Sequence, residues 1–173
     1  MGAHDKRFEQ ERGRLGWRGE VVSIHVAATA GAPMEAREAV TAVAGRGIAG
    51  NRYFAGEGFY SYYPGPLREI SLIEEETLEA LERDHELRVA PGVTRRNIVT
   101  RGVPLNHLVG REFWVGGALL RGVKLCEPCK HLVDVTGQRS LLPNLIHRGG
   151  LHAEIVADGE IRVGDTVGRG GEA

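Results

Sequence analysis

Only two cysteines occur in this 173-residue chain, and both fall in the stretch Leu125-Cys126-Glu127-Pro128-Cys129-Lys130-His131-Leu132. A thiol does its chemistry as thiolate, and neighbouring cations, here Lys130 or a protonated His131, would favour that form. Cys126-x-x-Cys129-x-His131 invites a zinc site, with His107, His147 or His152 completing the four ligands. None of those histidines stands in a partner motif, which weakens that reading. A dithiol redox pair calls for Cys-x-x-Cys at a helix start in an α/β fold. The mostly extended pattern of the chain argues against it, and Pro128 stands where it could end a strand. Whether this sulfur holds a metal, carries sulfur or merely packs is the question the rest of the chain must answer.

The other chemistry-bearing clusters are basic. Of 22 basic residues, 19 are arginines and three are lysines. Guanidinium forks suit planar or phosphorylated anions better than ammonium does, but only clustering distinguishes that use from a compositional bias. Thr94-Arg95-Arg96-Asn97-Ile98 sets two arginines and an asparagine at the start of a strand. Adjacent strand residues face opposite sides, so both arginines serve one site only where the backbone is irregular. Gly45-Arg46-Gly47-Ile48-Ala49-Gly50 matches G-x-G-x-x-G, yet no helical stripe follows it, as a dinucleotide site would require. It reads instead as a tight turn that delivers Arg52. His147-Arg148-Gly149-Gly150-Leu151-His152 forms a second polar cluster, whose glycines permit close backbone approach. All four tyrosines, with Phe54 and Phe59, fall between Tyr53 and Pro66. They would suit the wall over a flat heterocycle, or simply cover one end of a barrel.

The elements that must position these residues are short and mostly extended. Strands are expected over 20–28, with Val22, Ile24 and Val26 on one face, and over 38–44, 68–73, 97–100, 111–115, 118–125, 153–157 and 160–167. A helix is expected from Glu74 to about Arg83, with Ser71 to Glu74 as its capping box and Leu78 and Leu81 as its apolar stripe. A second helix is expected over 138–147. Many short strands with few helices predict a mainly β barrel or sandwich and disfavour a doubly wound parallel sheet. The first 15 or so residues and the last five read as mobile termini. A net charge of -1 gives no pull toward nucleic acid or an anionic membrane. No apolar run reaches the ~20 residues of a membrane helix, and the N-terminus lacks a signal peptide's apolar centre. Two cysteines this close cannot staple a secreted fold, so a cytoplasmic setting is expected.

Taken in order, Gly47-Ile48-Ala49-Gly50-Asn51-Arg52-Tyr53, Arg95-Arg96-Asn97-Ile98, Leu105-Asn106-His107-Leu108-Val109-Gly110, Glu127-Pro128-Cys129 and Gly159-Glu160-Ile161-Arg162-Val163-Gly164-Asp165 resemble the MOSC domains. These are named after the C-terminal domain of molybdenum cofactor sulfurase. The resemblance implies a MOSC-type β-barrel over residues 19–168, after a flexible tail at 1–18. It implies one reactive cysteine, which the Pro-Cys match assigns to Cys129 as catalytic residue and metal ligand. Cys126, Lys130, His131 and Asn51 become accessory. Arg52, Arg95, Arg96 and Asn97 become candidate contacts to molybdenum cofactor (molybdopterin), joined by Arg148 of the second polar cluster. The family implies reduction of N-hydroxylated compounds with electrons from an electron-transfer protein. Alternatively, Cys129 carries sulfane sulfur as a persulfide received from a cysteine desulfurase, and a zinc-stabilised binding module is a third reading. The family commonly has Gly-Asp-Arg where this chain has Gly50-Asn51-Arg52, which keeps the turn and loses a charge.

Overall fold

The structure, a computed structural model, describes residues 16–170. The expected mobile termini fall largely outside those residues. The chain runs through β1 (Arg18–Val26), β2 (Glu35–Arg37), β3 (Ala39–Val43) and β4 (Gly47–Ile48) to β5 (Ile70–Glu74) and helix α1 (Glu75–His85). Then come β6 (Ile98–Arg101), β7 (Glu112–Val115), β8 (Ala118–Leu125), and helices α2 (Lys130–Thr136) and α3 (Leu141–Asn144). The chain closes with β9 (Leu151–Ala157), β10 (Gly159–Arg162) and β11 (Thr166–Gly168). Seven strands form a closed barrel in the order β11-β7-β8-β9-β5-β6-β1, because β1 also pairs with β11. Only β5 and β6 run parallel within it. The fold is thus mainly β, a closed barrel with short helices, as the strand pattern predicts. β2 extends the sheet beyond β1, and β10-β3-β4 form a small second sheet. Among the described residues no helix is long and apolar enough to cross a membrane.

Two apolar clusters explain why some strands read as unbroken hydrophobic runs. Ile24, Leu72, Ile98, Phe113, Leu120, Leu151 and Val167 fill the barrel interior. Ile73 and Val99, on the opposite face of β5 and β6, pack outside it against Leu78, Leu81, Leu132, Leu141 and Leu145 from the helices. Both faces of these strands are therefore buried, and the usual alternation of apolar and polar residues is lost.

Four local expectations are corrected. A register shift between Val21 and Ser23 changes the phase of β1. The interior face is therefore Val21, Ile24 and Val26, and Val22 packs toward the helices. The capping box does not form, because Ser71 lies in β5 and bonds Asn97 while the Glu74 carboxylate accepts the Leu105 N–H at 2.8 Å. The helix expected over 138–147 shrinks to the four residues of α3, and α2 forms ahead of it. The strand expected over 160–167 splits at Gly164, which turns at φ +88°, so that β10 joins the small sheet and β11 closes the barrel.

Candidate functional site

The apolar residues of β5, β6 and β9 point into the barrel, so their alternate neighbours Ser71, Asn97 and His152 face the other side of the wall. There they floor a cleft of about 290 Å³. Its sides are Arg52 and Tyr53 after β4, Phe59 and Tyr60 of the aromatic loop, and Arg68 just before β5. Arg95 and Arg96 enter ahead of β6, and Cys126, Cys129 and His131 follow β8. Four of the 19 arginines meet here, against a single carboxylate, Glu127. That carboxylate is already engaged, accepting the His147 N–H at 2.9 Å and facing its Nδ1 at 3.2 Å.

The adjacent arginines reach one site because the backbone is irregular between them. Arg95 takes left-handed backbone at φ 62°, closing a 3-10 turn at Pro91–Thr94. Arg96 spends its whole fork on the scaffold. It donates to the carbonyls of Gly149 (2.8 Å), Thr94 (2.9 Å) and Cys126 (3.1 Å), drawing three loops together. Asn97 is a second brace. Its amide donates to the His25 carbonyl at 3.1 Å, and its Oδ1 accepts from the N–H and hydroxyl of Ser71. The parallel register of β5 and β6 makes that pairing possible.

Arg95 and Arg68 are differently placed. Arg95 donates one terminal nitrogen to the Ala32 carbonyl at 2.8 Å, and its other terminal nitrogen is buried with no partner. Arg68 has its Nε buried and unpartnered, and its guanidinium lies 5.0 Å from the Tyr60 ring centre. A buried donor without an acceptor is costly, so an anionic oxygen brought against either nitrogen would relieve that cost. Burial pushes the Arg52 and Arg95 pKa values down, with Arg96 adding like-charge repulsion on Arg52 and Arg52 on Arg95.

The two cysteines differ sharply. Cys126 is 5% exposed, and its Sγ lies 3.0 Å from His152 Nε2. Burial raises its pKa, against a smaller opposing pull from Arg96. The pKa of His152 drops to about 4, first through burial and then through Arg96, Arg68 and Lys124, so the pair is neutral thiol and neutral imidazole. Cys129 is exposed and forms the N-cap of α2. Lys130 pairs outward with Asp134 at 2.7 Å, and His131 is held neutral by burial and by Arg95. Positive charge around the cleft comes from arginines instead. Pro128 ends no strand, since β8 stops at Leu125.

A model of the MOSC domain matches residues 60–168. This chain belongs to the MOSC domain family. Among curated proteins none matches it. The fold resembles the YuaD protein from Bacillus subtilis at TM-score 0.70 and 19% identity, over 88% of this chain and 97% of that one. It also resembles YiiM from Geobacillus stearothermophilus (0.64, 17%, over 88% and 75%) and YiiM from Escherichia coli (0.59, 16%, over 92% and 71%).

Within this MOSC domain the cleft gathers Arg52, Arg95, Arg96, Asn97, Cys126, Cys129 and His131. Arg148 is not among its lining residues; it bonds the Asn144 carbonyl at 2.7 Å and faces His85. Asn51 lies behind the cleft, fully buried, its Oδ1 accepting from the Ala27 N–H at 3.2 Å and from Arg52 at 3.3 Å. Its amide thus performs the hydrogen bonding an aspartate would, without the charge. Sequence reasoning missed Arg68, which stands in no motif, and the pairing of Cys126 with His152. The second is visible only once β8 and β9 are laid side by side. Among the described residues no group of three His, Cys, Asp or Glu is arranged to hold a metal ion, so the zinc reading lacks its ligand set.

Proposed function

We propose that this MOSC domain binds a molybdenum cofactor in the arginine cleft, with Cys129 as the protein's ligand to the metal. The observation that carries this reading is the pair of buried, unpartnered guanidinium nitrogens on Arg68 and Arg95, in a cleft that also holds an exposed thiol. The donor set fits the group. Arg68, Arg95 and Arg52 would hold its phosphate and other anionic oxygens through charge-assisted bonds. Tyr53, Phe59 and Tyr60 offer ring surface for the pterin, and Cys129 offers the soft sulfur that molybdenum prefers. Once bound, the metal supplies a two-electron redox centre, which suits reduction of N-hydroxylated substrates with electrons from a partner protein. Arg96 and Asn97 do not contact the ligand in this reading; they fix the loops that carry the residues that do.

The test is molybdenum and pterin content of protein freshly purified from a host that makes the cofactor. Stoichiometric molybdenum is expected, lost in Cys129→Ala, with pterin lost as well when Arg68 and Arg95 are both changed to Met. Molybdenum content unchanged in Cys129→Ala would overturn the assignment. A cyanide-releasable sulfur on Cys129 without bound molybdenum would replace it with the persulfide-carrier reading, which the exposure of that thiol also suits.

A further inference from the structure

The second thiol of the cleft has no task in the cofactor reading, yet it is the more elaborately held of the two. The Cys126 N–H donates to the Gly150 carbonyl at 2.8 Å, and its own carbonyl accepts from Arg96. Gly149 packs so closely that a Cβ there would overlap that carbonyl oxygen. The thiol is buried 3.0 Å from His152 Nε2, so a sulfur nucleophile and an uncharged base sit within hydrogen-bond reach. Cys129 lies three residues on, exposed, lining the same cleft, with only Glu127 and Pro128 between. One cysteine is open to oxidants and the other is shielded beside a base. That division of labour is the one a thiol and its resolving partner need.

We propose that Cys126 is the resolving thiol of Cys129, with His152 as its base. A peroxide oxidises Cys129: the thiol gives its proton to solvent, the thiolate sulfur attacks the O–O bond and becomes a sulfenic acid, and the hydroxide that leaves takes up a proton as water. The Cys126 proton then passes to His152 Nε2, and the Cys126 sulfur attacks the Cys129 sulfur. The new S–S bond forms as the S–O bond breaks, and hydroxide leaves with the proton from His152 as a second water. Two thiols have lost two electrons and two protons, and the peroxide has become two waters. The disulfide keeps Cys129 from irreversible oxidation, and a dithiol reductant restores it. Because the backbone of Cys126 is pinned on both sides, the approach is made by the Cys129 segment.

The experiment uses hydrogen peroxide on the purified full chain, followed by alkylation, trypsin and mass spectrometry. Cleavage after Lys124 and Lys130 releases Leu125–Lys130, a peptide holding both cysteines. Wild-type protein is expected to give this peptide unalkylated and lighter by two hydrogens, reverting with dithiothreitol. Cys126→Ser is expected to accumulate irreversible sulfinate on Cys129. His152→Gln is expected to slow disulfide formation at least roughly tenfold while dimedone still traps the Cys129 sulfenic acid in full. Wild-type protein that instead carries sulfinate on Cys129 beside an alkylated Cys126 overturns the proposal, whether or not Cys126→Ser folds. An unchanged rate in His152→Gln overturns the role of the base. Molybdenum on Cys129 would shield its sulfur, so the oxidation is run on protein measured to be free of the metal, and the cofactor reading and this one fail separately.

Discussion

Two neighbouring arginines of one cleft should respond very unequally to the same substitution. Arg96→Met removes three charge-assisted bonds, to the carbonyls of Gly149, Thr94 and Cys126, and strands those acceptors in a largely buried setting. Bonds to a charged group contribute about 1.5–3 kcal/mol each, and the cost of burying the guanidinium offsets part of that sum. A net loss of roughly 3–5 kcal/mol is expected, a large share of the roughly 5–15 kcal/mol that folds a domain. At about 2–4 °C per kcal/mol for this size, Tm should fall by roughly 10 °C or more. Arg96→Lys keeps the charge but replaces a planar fork with a single ammonium, and should recover little. Arg95→Met loses one bond, to Ala32, and also removes a buried unpartnered nitrogen, so its stability should change by less than about 1 kcal/mol. Urea and thermal unfolding of the three variants against wild type decide the matter. A normal Tm in Arg96→Met, or an equal loss in Arg95→Met, would refute the division between bracing and ligand-holding arginines.

The remaining predictions use the same geometry. His152 titrates near pH 4 folded against 6.5 when free. Its contribution is therefore fully present above pH 6.5 and lost as pH falls toward 4, about 3 kcal/mol in all; the pH–stability curve of His152→Gln should be flatter across that window. Gly150→Ala should destabilise by roughly 3 kcal/mol or more, because a Cβ there overlaps the Leu72 carbonyl oxygen and φ is +102°; a Tm near wild type would contradict the tight packing of β9 on β5. Pyrophosphate should raise Tm by several degrees, corresponding to about 3 kcal/mol at a hundred times its Kd, and less at high salt. No shift, or the same shift in a variant carrying Arg68→Met and Arg95→Met, would count against an anion-binding cleft. Asn51→Asp should fold, weaken that pyrophosphate effect and leave the backbone bond to Ala27 in place, as measured by thermal shift and amide exchange.

Much of the fold was legible because its strands are short, β-branched and bounded by glycine. What misled was tertiary in origin. The bulge after Val21 leaves no local mark, so alternation alone assigned Val22 to the wrong face. Ser71 and Glu74 have the spacing of a capping box, but pairing of β5 with β6 and β9 claims Ser71 for a strand first. Lys130–Thr136 carries two valines and a terminal threonine, a poor helix by propensity, and forms with Leu132 packed against Ile73 and Val99. Within the site, motif reasoning found Arg52, Arg95, Arg96 and Cys129, because each belongs to a cluster with glycine, proline or asparagine. Arg68 looked like any strand-flanking arginine, and its role emerges only from the rings and the buried nitrogen around it.

The adjacent arginines show how the barrel converts sequence distance into chemistry. A free chain would keep four guanidinium groups apart, since like charges repel. The fold holds them together by bonding each nitrogen of one to a backbone carbonyl and by setting another against aromatic rings. Left over are two donors, on Arg68 and Arg95, and a positive field that adds to burial in lowering the pKa values of His131 and His152. An imidazole kept uncharged beside a buried thiol is therefore owed first to burial and then in part to the same arginines that would hold an anionic ligand. The anion site and the Cys126–His152 pair are then electrostatically linked: binding a polyanion would ease the field on His152 and make it a stronger base.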